Sequence, residues 1–161
     1  MKTVIISGSH SNIGKTSLAE ELLRSLHNWS ALKTTVVKSK SRCPRGSNCE
    51  ACSELKGDFN IVTNKKIINQ ENKDTARMKK AGAKRVIWLI SNLKGLKAGL
   101  ARALHMLKDS EGVVIEGTTV LRYINPDLTI YLGDGTMPAR PSARDAQKKA
   151  DLIIDVNRLF R

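Results

Sequence analysis

The chain has 161 residues, 40% of them hydrophobic and only 4% aromatic, and its 28 lysines and arginines outnumber 15 acids for a net charge of +13. That length suits a single domain with a real core, built here from Val, Ile, Leu and Ala, and the apolar content excludes an intrinsically disordered chain. The charge predicts an anionic partner.

Short apolar runs rich in β-branched residues alternate with helical patterns. The first, residues 3–7 (TVIIS), reads as a strand. Directly after it come Gly8, Ser9, His10, Ser11, Asn12, Ile13, Gly14, Lys15, Thr16 and Ser17, and an amphipathic helix is predicted over 15–29. Strand, glycine loop, G-K-T-S and helix in this order predict a phosphate-binding loop. Small residues let backbone amides turn inward around an anion, and the helix presents its positive end to the same group. Gly8, Ser11, Asn12, Ile13, Gly14, Lys15, Thr16 and Ser17 are the candidate nucleotide contacts. Lys15 would neutralise the β- and γ-phosphates of ATP or GTP, and the Thr16 hydroxyl would ligate Mg²⁺. The competing reading is a plain glycine turn with an exposed lysine.

A second strand is predicted over 34–38, ending in Lys38. There its charge would face an anionic acceptor beyond the γ-phosphate, unless it is an ordinary surface lysine. Residues 39–57 then lose all periodicity and carry Cys43, Cys49 and Cys52 in a C-x5-C-x2-C pattern. We read this stretch as a functional flap. Three cysteines cannot pair off internally. Three thiolates near Arg42 and Arg45 suit Zn²⁺ or an iron–sulfur cluster, with the fourth ligand from His10, another His, a non-protein group or the second subunit of a homodimer. A redox-active Cys49–Cys52 pair and inert thiols stay open.

Further along, helices are predicted over 74–81, 96–107 and 142–150, and strands over 85–90, 112–116, 128–132 and 152–156. Asp74 opens its helix and is a candidate to hold metal or orient water, or serves as an N-cap. Glu116 closes its strand, so its carboxylate would emerge at the carboxyl edge of a parallel sheet, opposite Thr16, as a Mg²⁺ ligand; the alternative is a solvated strand-end Glu. Residues 137–143 read as a rigid lead into a helix capped by Ser142. The positive charge concentrates in residues 33–45, locally +5, and 65–85, locally +6. Both segments adjoin the proposed crevice. A second anionic small molecule is therefore the expected partner, and nucleic acid is less favoured because stacking aromatics are scarce. These elements predict one α/β domain over 1–161, a doubly wound, mostly parallel sheet flanked by helices, of P-loop NTPase type, with the Cys-containing flap at about 39–57. No apolar run approaches the roughly 18 residues of a membrane span and no signal-peptide pattern opens the chain, so a cytoplasmic protein without a membrane partner is expected.

The loop places five residues between Gly8 and Gly14. In this it resembles dethiobiotin synthetase and the cobyrinic acid a,c-diamide synthases, a branch of P-loop proteins that also contains metallochaperone GTPases and molybdopterin-guanine dinucleotide biosynthesis protein B. Residues 73–83 (KDTARMKKAGA) and 113–117 (VVIEG) are similar to segments of the last family. The strand-end Lys38 resembles the acceptor-side lysine of dethiobiotin synthetase. The resemblance implies a Mg²⁺-dependent ATP- or GTP-binding protein, a slow NTPase or phosphoryl transferase, acting on an intermediate in cofactor biosynthesis. Lys15, Lys38 and Asp74 would take catalytic roles. The alternative it implies is a nucleotide-gated metal carrier using the cysteine flap.

Overall fold

Seven strands form one sheet among the residues that the computed structural model describes, 1–37, 49–138 and 140–158. The strands are β1 (Lys2–Gly8), β2 (Trp29–Val36), β3 (Phe59–Val62), β4 (Val86–Ser91), β5 (Gly112–Glu116), β6 (Leu128–Gly133) and β7 (Leu152–Asp155). Their order in the sheet is β3-β4-β2-β5-β1-β6-β7. All neighbours run parallel except β3, which pairs antiparallel with β4. The helices are α1 (Lys15–Ser25), α2 (Glu50–Glu54), α3 (Lys65–Ile68), α4 (Asp74–Lys80), α5 (Leu96–Met106) and α6 (Pro141–Lys148), with a 3₁₀ turn over Thr119–Arg122. The expected α/β class, with a mostly parallel sheet flanked by helices, is what the chain adopts. Among the described residues no helix is long and apolar enough to cross a membrane.

Period-two alternation sorts the strand residues into two cores. Val4, Val114, Ala31 and Val86 sit side by side across four strands and pack with Ala19 and Leu23 of α1 and Met78 of α4. Their neighbours Ile5, Ile115, Leu32 and Ile87 form the next row and pack on the opposite face with Leu96, Leu100 and Ala103 of α5 and Ala146 of α6. The parity continues to the carboxyl edge, where Ile6, Glu116 and Lys33 share a row on the α1 face. Fold and site are thus one periodicity.

Several expectations are corrected. The helix predicted over 15–29 stops at Ser25, because Leu26 is extended and Asn28 is left-handed (φ 60°), turning the chain into β2. Trp29 is therefore a strand residue and β2 begins five residues before the predicted 34–38 strand. The edge strand β3 has no counterpart in the sequence reading, and neither do α2 and α3. Part of the predicted flap is thereby ordered, with Ala51, Cys52 and Leu55 in the core. At the opposite edge β7 is not the doubly buried strand its composition suggested, since Leu152 and Ile153 are about half exposed. The N-cap of α6 is Arg140, with Pro141 in the first turn, and not Ser142; proline at this place has no amide hydrogen to leave unsatisfied.

Candidate functional site

The loop from Gly8 to Gly14 crosses the carboxyl edge of β1, between β5 and β6. Its path needs glycine at two places. A Cβ on Gly8 would come within 2.7 Å of Ile13 Cγ2, and Gly14 takes φ 101° where α1 begins. Asn12 is also left-handed, at φ 66°, a conformation Asn tolerates better than most residues. Ile13 is buried in the core, so its side chain anchors the loop and only its backbone is available to a ligand. Ser11 and Asn12 are exposed. The backbone amide of Ser9 donates to Leu132 O at 3.0 Å, which ties the loop to β6.

Lys15 Nζ reaches back over the loop and donates to His10 O at 2.6 Å. Burial holds the Lys15 ammonium below the usual lysine range; Glu116 opposes that shift, and Lys33 and Arg140 add to it. An anion between these cations would relieve their mutual repulsion. Thr16, in the first turn of α1, donates from Oγ1 to Glu116 Oε2 at 2.8 Å. Glu116 ends β5 and is only 4% exposed, so it is a buried carboxylate and not a solvated strand end. Ser17 lies on the outer side, where its Oγ accepts from Arg77 of α4, which also pairs with Glu20.

Asp74 is brought to the same place. It is the first residue of α4, whose N-cap is Lys73, so of the two roles left open for Asp74 the N-cap does not hold. Its Oδ2 lies 2.6 Å from Lys33 Nζ, and the same ammonium contacts Glu116 Oε1. Burial works against the Asp74 charge, but the Lys33 ammonium and hydrogen bonds from Lys33 and Thr16 outweigh it, and the carboxyl lies below its ordinary value of 3.8. A depressed carboxyl contributes stability that is complete above its unfolded-state value and is lost as pH falls through the folded one. Asp74→Asn is therefore expected to lower stability near neutrality and to flatten the acid limb below about pH 4. Denaturant midpoints measured from pH 7 down to pH 2 check this; parallel curves for the two proteins would contradict it.

Lys33 is the site residue that the sequence reading missed. The sequence marks it only as part of the basic segment 33–45. Starting β2 at Trp29 puts Lys33 inside the strand, beside Glu116 and on the face of α1. A lysine in phase with Ala31 on an otherwise apolar strand face was the available signal. Lys38, the predicted acceptor-side lysine, lies outside the described residues, as do Cys43, Arg42 and Arg45. Cys49 and Cys52 are buried at the start of α2, where the Cys52 amide donates to Cys49 O at 2.9 Å. Among the described residues no group of three or more His, Cys, Asp or Glu side chains could hold a metal ion. The Thr16 hydroxyl and the Glu116 and Asp74 carboxylates do form a hard oxygen set beside the glycine loop. They fit a Mg²⁺ ion completed by phosphate oxygens and water, and do not form an all-protein cage.

The late loops close the rim. His10 Nε2 lies 3.4 Å from Asp134 Oδ2, just past β6, and Thr136 holds the Asp134 carboxylate through its amide and hydroxyl. Gly8 N is within 3.4 Å of Thr118 Oγ1, and Thr34 Oγ1 donates to Glu116 O at 3.0 Å. Beyond Lys33 and Asp74 lies a cavity of about 110 Å³, lined also by Thr35, Glu50, Lys73 and Trp88. Lys73 and Glu50 form an ion pair in this lining, linking the loop before α4 to α2. No protein-family model, curated protein or solved structure matches the chain.

Proposed function

We propose that the protein is a Mg²⁺-dependent ATP- or GTP-binding protein of P-loop type, a slow NTPase or γ-phosphoryl transferase serving cofactor biosynthesis as molybdopterin-guanine dinucleotide biosynthesis protein B does. The observation that carries this reading is the meeting of three parts at one sheet edge: the glycine loop, Lys15 opening α1, and Thr16 hydrogen-bonded to the buried Glu116. In this reading the loop amides and the start of α1 bind the phosphates. Lys15 exchanges its contact with His10 O for β- and γ-phosphate oxygens. Thr16 and Glu116 hold the metal ion, with Asp74 beside them to take part in its shell or orient water. A bound Mg²⁺ supplies charge neutralisation on the phosphates as the γ-phosphoryl passes to water or to an acceptor oxyanion and the nucleoside diphosphate leaves. The cavity past Lys33 is the place for the second anion.

Equilibrium titration with ATP and GTP, with and without Mg²⁺, tests the reading. Lys15→Ala is expected to weaken binding by about 100-fold, the cost of removing one charge-assisted phosphate contact in a partly desolvated site. Equal affinity of the variant and the unaltered protein for both nucleotides would overturn it.

A further inference from the structure

We propose that Lys33 is an exchangeable positioning residue. Its ammonium holds Glu116 and Asp74 together, and it leaves them for the Trp88 side of the adjoining cavity when a divalent cation enters with nucleotide. The inference rests on the nucleotide-binding reading and adds a coupling between the metal site and the cavity.

The geometry supplies both positions. Glu116 on β5 and Trp88 on β4 are the register partners of Lys33 on its two sides, so the three residues form one row across the sheet. The lysine stands between a carboxylate and an indole. Its Nζ lies 2.6 Å from Asp74 Oδ2 and contacts Glu116 Oε1, while Thr16 donates to the other Glu116 oxygen at 2.8 Å. These are the same oxygens that fit a hard dication at about 2.1 Å. An ammonium and a dication sharing them repel strongly in a half-buried setting. The four-carbon stem lets the lysine yield without moving the backbone. On its other side the cavity offers the Trp88 ring to the displaced charge, and the indole N–H donates to Thr35 Oγ1 at 2.9 Å, which fixes the ring. Once there, the ammonium adds a positive charge to a cavity whose other lysine, Lys73, is already paired with Glu50.

Two readouts separate this from a purely structural lysine. The first is Mn²⁺ binding by electron paramagnetic resonance, without nucleotide, for the unaltered protein, Lys33→Met and Lys33→Arg. Lys33→Met is expected to bind Mn²⁺ about tenfold or more tightly, because the competing charge is gone, and Lys33→Arg to stay near the unaltered protein. If Lys33→Met does not fold, Lys33→Gln carries the same expectation. The second readout is Trp88 emission on adding Mg²⁺ with a non-hydrolysable nucleotide. It should change in the unaltered protein, and the change should be absent in Lys33→Met and in Trp88→Phe, which keeps only the buried Trp29. Mn²⁺ affinity that is equal or weaker in Lys33→Met, with nucleotide binding retained, overturns the exchange and leaves the nucleotide reading standing. Loss of all Lys15-dependent nucleotide binding in the unaltered protein overturns the reading beneath it.

Discussion

Glu116→Ala is expected to destabilise the protein by about 3 kcal/mol, the lower end of the cost of breaking a buried ion pair from one side. The carboxylate is 4% exposed and accepts from Thr16 on one oxygen while Lys33 takes the other. Removing it leaves both the Thr16 hydroxyl and the Lys33 ammonium with Asp74 as their carboxylate, and that remaining partner keeps the loss from being larger. Lys15 also loses its chief stabilising neighbour, since Glu116 is the main influence opposing the effect of burial on that ammonium. Glu116→Gln preserves the shape and the hydrogen bond from Thr16, so about 1–2 kcal/mol is expected for it. Combining Glu116→Leu with Lys33→Met should recover part of the loss, because replacing the buried pair by apolar residues is often neutral while the partly exposed Asp74 loses its ammonium. Urea denaturation of the unaltered protein, Glu116→Ala, Glu116→Gln, the single Glu116→Leu and Lys33→Met variants and their combination decides the matter. A Glu116→Ala loss below 1 kcal/mol, or simple additivity in the double variant, would show that these groups are not one buried network.

The parts of this network that were legible in the sequence share a cause. Gly8, Gly14, Lys15 and Thr16 are read from a contiguous motif whose geometry is local, and Glu116 from its place at the end of an apolar strand whose bounds, 112–116, the structure reproduces. Their meeting follows from the parallel order of β1 and β5. Lys33 was hidden because its role depends on register, and register depends on where α1 stops. Fifteen residues of helical pattern run through Leu26 to Trp29 with neither glycine nor proline to mark an end. Asn28 in the left-handed region is the true break, and Asn gives a weaker signal there than Gly. The short β3 was missed for a different reason. FNIV acquires strand character from pairing with β4, and four residues carry too little pattern to announce it. For Asp74 the sequence does not separate cap from ligand, because only the tertiary arrangement brings Lys33 to its carboxylate.

Gly112→Ala carries the second large effect, and it tests how Trp29 is seated at the start of β2. Gly112 opens β5 directly beside Trp29, and a Cβ there would lie 2.5 Å from two indole carbons, Cε2 and Cζ2, and 2.6 Å from a third, Cδ2. The φ of Gly112 is not in the left-handed region, so backbone conformation alone would favour alanine by about 0.5–1 kcal/mol. The indole overrides this. Trp29 is buried against the α1-side core, a rigid ring cannot swing aside as a flexible chain would, and the next backbone contact, Glu111 N to Asn28 O at 3.2 Å, holds the two strand starts together. Overpacking of this kind is expected to cost about 3 kcal/mol. In a Trp29→Leu background, itself destabilised by the lost burial, the same Gly112→Ala change should turn neutral or stabilising by about 0.5 kcal/mol. Thermal or urea unfolding of the two single variants and the double variant measures this reversal of sign. If Gly112→Ala stays equally costly without the indole, the glycine is needed for a reason other than the seating of Trp29.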